Sequence, residues 1–196
     1  MNIIILAGGE GTRMGHVDKA AVEVNCISLL HMLVSGLAAD HNIVVVSPRN
    51  IEGLFTAYED PPLGGPLAGI ATGFKALQQH YPDEKHTAIL AVDAPYSAEM
   101  LPLLLARLEA TPDADAALTL AEDGWVQPLC AVWSTPSLDA ALTRLEASGG
   151  TRNRPVKALL KQSIHIIEVP GNGSEKDYDT VAELQKLGTV KIPKEH

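Results

Sequence analysis

The chain has 196 residues, 46% of them hydrophobic, a formal net charge of −9 and two cysteines. That length and apolar content suit one domain with a sizeable core, and the acidic balance argues against a nucleic-acid partner while leaving room for a small anionic ligand where cations cluster. Cys26 and Cys130 are too few and too badly spaced for a disulfide framework or a zinc site, and no apolar run reaches the about 20 residues that span a bilayer.

In chain order, short apolar runs over residues 3–6, 43–47, 88–92, 116–120, 129–133 and 164–169 read as strands. Longer patterns over 27–39, 67–80, 98–110, 136–148, 155–161 and 180–187 read as helices. Strands separated by helices imply βαβ units, hence a three-layer Rossmann-like α/β fold with a mostly parallel sheet covered on both faces. One domain is expected over residues 1–188, followed by a polar tail over 189–196 with no apolar periodicity. The N-terminus shows no charged leader or cleavage-like site and is taken up by the first strand, so the chain is expected in the cytoplasm. In such sheets ligands bind at the carboxyl ends of the strands, and the loops at those ends carry the chemistry.

The first strand runs straight into Ala7-Gly8-Gly9-Glu10-Gly11, with Arg13 and Lys19 shortly after. Glycines after a buried strand let the backbone approach a ligand, exposed amides cradle phosphate, and two cations match a polyphosphate. The same residues would also suit a tight turn with surface cations. A Walker loop would need Gly-Lys-Ser/Thr, which is absent. The dinucleotide fingerprint fails because its third glycine position is Met14, with Gly15 one residue late.

The stretch LAGGEGTRMG, followed by Asp18-Lys19-Ala20, resembles the signature of nucleotidyltransferases that attach a nucleoside monophosphate to a phosphorylated acceptor. The short spacer and Asp-Lys pair are similar to the molybdenum-cofactor guanylyltransferase branch and its cytidylyl relatives. Sugar-nucleotide enzymes usually carry Pro-Lys after a longer spacer. The resemblance covers nearly the whole chain, most strongly up to Lys19 and around residues 60–69 and 93–96. It implies transfer of GMP from GTP to a molybdopterin-type acceptor with release of pyrophosphate, without a protein nucleophile, and with Mg²⁺ or Mn²⁺. In that reading Leu6, Ala7, Gly8, Gly9 and Gly11 line the triphosphate, while Arg13 and Lys19 neutralise the leaving phosphates.

Four further loops extend the resemblance. Ser47 stands where these enzymes often have asparagine for base or ribose recognition; a plain turn with Pro48 would serve as well. Asp60 begins an acidic-then-Gly-Pro-Leu-Ala-Gly element containing Gly65, Pro66, Leu67 and Gly69. Pro66 suits a first helical turn, and the helix N-terminus favours an anion. Asp60 would accept from the two donors on guanine's edge, which favours GTP over CTP; a capped proline-glycine loop is the alternative. Asp93 ends a very apolar strand, where a carboxylate needs a partner. A divalent cation is one such partner, the resemblance puts the metal-binding aspartate here, and helix capping is the other account. Asp179, with Asp177 as alternate, lies in an Asp-x-Asp-Thr segment whose relatives help hold the metal; Thr180 and Glu183 also spell a capping box.

Arg152 and Arg154 in a glycine-containing loop suit an acceptor-phosphate clamp or, equally, a helix end with solvated charges. Gln127-Pro128 stands where the branch often has His-Pro, and Trp125 would either stack on a pterin or be a core or surface aromatic. His16, His31 and His41 show no ligand spacing, and Cys130 reads as core. A CTP-dependent molybdopterin cytidylyltransferase is the alternative enzyme, a phospholactate or sugar-phosphate nucleotidyltransferase less so. An inactive nucleotide-binding adaptor that docks on a molybdoenzyme or its chaperone is the non-enzyme alternative.

Overall fold

A fully buried strand, β1 (Asn2–Leu6), lies at the heart of the sheet in the computed structural model, which describes residues 1–8 and 17–193. Its side chains alternate between two cores: Ile3 and Ile5 face one, Ile4 and Leu6 the other. Both faces are covered, which is why the run carries no polar alternation. β4 (Asn42–Val46) and β6 (His86–Ala91) flank β1, both parallel to it. β5 (Thr56–Ala57) extends that side, and the full order is β5-β4-β1-β6-β8-β7-β9, with β7 (Ala116–Leu120), β8 (Val126–Ser134) and β9 (Ile166–Pro170). The expected three-layer, mostly parallel α/β architecture is present. β8 is the exception: it runs antiparallel to both neighbours. No helix separates it from β7; a five-residue turn with Gly124 at φ +82° makes the two a hairpin.

α2 (Pro66–His80), α4 (Thr135–Ala147) and α5 (Lys157–Leu160) cover one face of the sheet. α1 (Leu29–Ser35) and α3 (Leu101–Glu109) cover the other. The expected helix over 98–110 begins as a 3₁₀ turn, Ser97–Met100, and only then becomes α3. The expected helix over 27–39 is shorter. Ile27–Ser28 is instead β3, paired with β2 (Glu23–Val24) across a turn in which Asn25 and Cys26 both have positive φ. Ser28 then caps α1, its Oγ accepting from the His31 amide at 3.2 Å.

The segment after Gly188, expected to trail as a polar tail, supplies β10 (Val190–Lys191), which pairs antiparallel with β2. The Asn25 amide donates to the Thr189 carbonyl at 2.9 Å, and its side-chain oxygen accepts from the Thr189 amide at 2.9 Å. Backbone pairing needs no apolar side chains, so hydropathy gave no sign of it. Among the described residues no helix is long and apolar enough to cross a membrane.

Candidate active site

The carboxyl ends of β1, β4 and β6 meet where the sequence placed the site. The Ala7 amide donates to Val46 O at 2.9 Å, and the Val92 amide donates to Leu6 O at 3.0 Å. Leu6 and Ala7 are thus held in the ladder with buried side chains, and among the described residues 6–8 only Gly8 opens to solvent. Of the expected phosphate-binding residues, Gly9, Gly11 and Arg13 lie outside the described residues.

Lys19 returns to this strand end on a single 3₁₀ turn, Lys19–Ala21. Asp18 caps that turn, its Oδ1 accepting from the Ala20 amide at 3.1 Å. The Lys19 ammonium donates to Asp93 Oδ2 at 3.1 Å and to Asp179 Oδ1 at 2.6 Å. Three residues picked out from separate stretches of the sequence therefore converge on one point. Two local devices bring them there. The Asp93 carbonyl accepts from the Tyr178 amide at 2.8 Å, which docks the 177–180 segment against the end of β6. The capping box then forms at α6 (Val181–Leu184): Thr180 Oγ1 accepts from the Glu183 amide at 3.2 Å, and the Glu183 carboxylate accepts from the amides of Asp179 and Thr180 at 3.1 and 3.0 Å. Capping and site assembly are one structure, so the two sequence readings of this segment are compatible.

Burial pulls the Lys19 ammonium toward deprotonation, but its bonds to Asp179 and Asp93 outweigh that and hold its pKa above the usual lysine range. The Asp177 carboxyl, on an otherwise exposed residue, is pushed above the usual carboxylate range by burial first, then by the charges of Asp179 and Asp93. Among the described residues, Asp93 and Asp179 bond the Lys19 ammonium directly, while Asp177 feels the charges of Asp179 and Asp93. Among the described residues no cluster of three or more metal-ligating side chains is formed. What is present is a pair of hard oxygen donors already converging on one cation. Mg²⁺ is commonly held by one or two carboxylates completed by substrate phosphates, so the donor set fits such an ion.

Sequence reasoning missed Arg49 and Glu59. Arg49 pairs with Asp18 through its guanidinium, and its amide donates to the Oγ of buried Ser47 at 3.2 Å. Ser47, expected to read base or ribose, thus helps fix the loop that steadies the Lys19 turn. Glu59, not its exposed neighbour Asp60, organises the next loop: its Oε2 accepts from the Gly64 amide at 2.6 Å. Gly65, at φ +85°, precedes Pro66 at the start of α2. Leu67 is fully buried, and a Cβ on Gly69 would meet Leu6 at 3.1 Å. Both therefore serve helix–sheet packing, and Leu67 has no side-chain surface to offer a ligand. No sequence signal marks Arg49, whose partner lies 31 positions away.

Arg152 and Arg154 do not form a clamp together. Arg152 grips the carbonyls of Pro61 and Pro62, the latter at 3.2 Å, while the Asn153 amide donates to Gly64 O at 2.7 Å. Arg154 closes the end of α4, donating to Ser148 Oγ at 3.2 Å and Gly150 O at 3.1 Å. A groove of about 680 Å³ runs along the outer side of this junction, between α2, α4 and the 149–152 turn. At the β7–β8 turn Trp125 is exposed, with the Lys157 ammonium 5.1 Å from its ring centre.

Residues 3–165 match the family model of the MobA-like NTP transferase domain. A probable molybdenum cofactor guanylyltransferase from Natronomonas pharaonis is 31% identical over 94% of this chain and 93% of its own length. A molybdenum cofactor guanylyltransferase from Pseudomonas putida is 31% identical over 85% of this chain and 86% of its own. Among solved structures, molybdopterin-guanine dinucleotide biosynthesis protein A from Archaeoglobus fulgidus superposes with a TM-score of 0.68 at 18% identity, covering 95% of this chain and 96% of that one. The 2-C-methyl-D-erythritol 4-phosphate cytidylyltransferase from Thermus thermophilus shares the fold as well, with a TM-score of 0.65 at 18% identity over 94% and 95% of the two chains.

Proposed function

The chain belongs to the MobA-like NTP transferase domain family, and on that premise we propose that it transfers GMP from GTP to molybdopterin, releasing pyrophosphate. The observation that carries this reading is the convergence of Lys19, Asp93 and Asp179 at the carboxyl end of the sheet. The acceptor phosphate oxygen forms a new bond to the α-phosphorus while the bond from that phosphorus to the β-phosphate oxygen breaks. The chain aligns the reactants and stabilises charge, and supplies no nucleophile. Asp93 and Asp179 would hold a Mg²⁺ or Mn²⁺ ion. When bound, such an ion supplies neutralisation of phosphate charge. Gly8, Gly9 and Gly11 would cradle the triphosphate with their amides, and Arg13 and Lys19 would hold the leaving pyrophosphate. Asp60 and the Gly65-Pro66 helix start would receive the guanine. Arg152 shapes that loop from behind through the Pro61 and Pro62 carbonyls. The reaction belongs in the cytoplasm, and a molybdoenzyme or its chaperone would receive the product.

The test is pyrophosphate release with molybdopterin as acceptor, GTP against CTP, with and without Mg²⁺. Turnover is expected with GTP and Mg²⁺ and is expected to be largely lost in Asp93→Ala and Lys19→Ala, both of which keep the wild-type circular dichroism. A preference for CTP would move the chain to the cytidylyl reading. Mg²⁺-independent GTP binding without pyrophosphate release would make it a nucleotide-binding adaptor.

A further inference from the structure

Lys19 has two claims on it. The triphosphate reading needs its ammonium on phosphate oxygens, yet the ammonium sits on the two carboxylates a metal would use, at 3.1 and 2.6 Å. A Mg²⁺ or Mn²⁺ ion must approach its carboxylate oxygens to about 2.1 Å. An ion that close to both oxygens would occupy the space of the ammonium and repel it. One of the two cations has to leave.

The ammonium cannot leave for nothing. The Lys19 side chain is only 17% exposed, and a half-buried ammonium stripped of its anions loses charge-assisted hydrogen bonds that water replaces poorly. Its backbone is also held. Asp18 caps the turn, and Arg49 anchors Asp18 from the neighbouring loop. With the turn held in this way the side chain is the part that can swing, and Gly8, at the carboxyl end of the central strand, is open to solvent.

We propose that this site takes its divalent cation as a metal–nucleotide complex and not as the bare ion, with the Lys19 ammonium as a resident cation that the complex displaces from Asp93 and Asp179 onto the triphosphate. This rests on the assignment of Asp93 and Asp179 as the metal-binding carboxylates. It makes the binding of metal and nucleotide mutually dependent. The metal claims the carboxylates only when phosphate oxygens are present to receive the lysine.

The test is Mn²⁺ binding to the whole chain, followed by the electron paramagnetic resonance of the unbound ion, for wild type, Lys19→Met and Lys19→Arg. Without nucleotide, Lys19→Met is expected to bind Mn²⁺ more tightly than wild type by a factor in the usual range of coupling between sites, about 5- to 150-fold. Lys19→Arg keeps a cation on the carboxylates and is expected to bind the bare ion as weakly as wild type. In wild type, Mn²⁺ is expected to raise the calorimetric affinity for an α,β-methylene GTP analogue, and this coupling shrinks in Lys19→Met. The wild-type coupling keeps the proposal testable even if Lys19→Met fails to fold. Equal binding of bare Mn²⁺ by wild type and Lys19→Met, with both abolished by Asp93→Asn, would overturn the exchange and leave the carboxylates as ligands. No Mn²⁺ binding in any form would overturn the metal placement and the exchange together.

Discussion

Asp18 uses its two carboxylate oxygens on two different loops. One caps the turn that carries Lys19, and the other pairs with Arg49 beyond the end of β4. Such double use is visible in no local pattern. The cap is legible, because Asp followed two positions later by the amide it accepts is a short-range arrangement; the Arg49 contact spans 31 positions and is not. The same division explains the arginines near the end of α4. Their residue type was informative, but their partners, Pro61 and Pro62 for Arg152, were 91 and 90 positions away. Cys130 was read as core from its apolar neighbours, and it is 1% exposed with Thr119 Oγ1 donating to its sulfur at 3.2 Å. Burial pushes its thiol up to about 12. Cys130 therefore stays a neutral thiol at pH 8, whereas Cys26 is exposed. Titration with a thiol reagent at pH 8 is expected to label one cysteine per native chain and two in denaturant. Two labels on the native chain would contradict the burial.

At the scale of elements, α2 shows how much a sequence pattern can carry. Leu67, Ile70, Phe74 and Leu77 recur at helical spacing and are all buried against the sheet, with Pro66 opening the first turn. Gly73 lies in the same helix where it crosses β1 and β4, and a Cβ there would stand 2.7 Å from Ile4 Cγ2 and 2.9 Å from Val46 Cγ2. Gly→Ala in a helix ordinarily gains roughly 0.5–1 kcal/mol. Overpacking a core typically costs about 1–3 kcal/mol, and Ile4 and Val46 sit in central strands with little freedom to retreat. The steric effect is expected to win. Gly73→Ala should melt at a lower temperature, by about 2–4 °C for each kcal/mol lost in a chain of this size. An unchanged or raised melting temperature would show that the helix can lift off the sheet cheaply. Periodicity served less well at 27–28, where two residues continuous with the helical pattern are drawn into β3 by pairing with Glu23 and Val24. Pairing partners outside the window overrode the local preference.

At the scale of the molecule, the C-terminal end of the described chain returns to residues 23–24. β10 closes a small three-stranded sheet with β2 and β3, directly after the turn that presents Lys19. Val22, which ends that turn, accepts through its carbonyl from the Leu29 amide at 2.9 Å. The small sheet therefore braces the Lys19 turn from below. Removal of residues 189–196 is expected to leave the seven-stranded sheet intact by circular dichroism, to lower the melting temperature, and to weaken stabilisation by GTP with Mg²⁺. Full stabilisation approaches about 2.7 kcal/mol when ligand stands at about 100 times its dissociation constant. Truncation that leaves both quantities unchanged would show that β10 is dispensable to the site.

The sequence by itself determined the α/β class, the start of α2 and the capping box at Thr180, and it pointed to the strand ends as the place of the candidate site. Each of these rests on interactions between residues a few positions apart, so a window of sequence contains both partners. The tertiary structure decided that β8 runs antiparallel, that residues 190–191 form a strand, and that Arg152 grips a distant loop. It also placed the Lys19 ammonium between carboxylates 74 and 160 positions away. Those outcomes depend on strand order and register. Many patterns of apolar residues satisfy a given order equally well, and only the assembled sheet selects which chain segments end side by side.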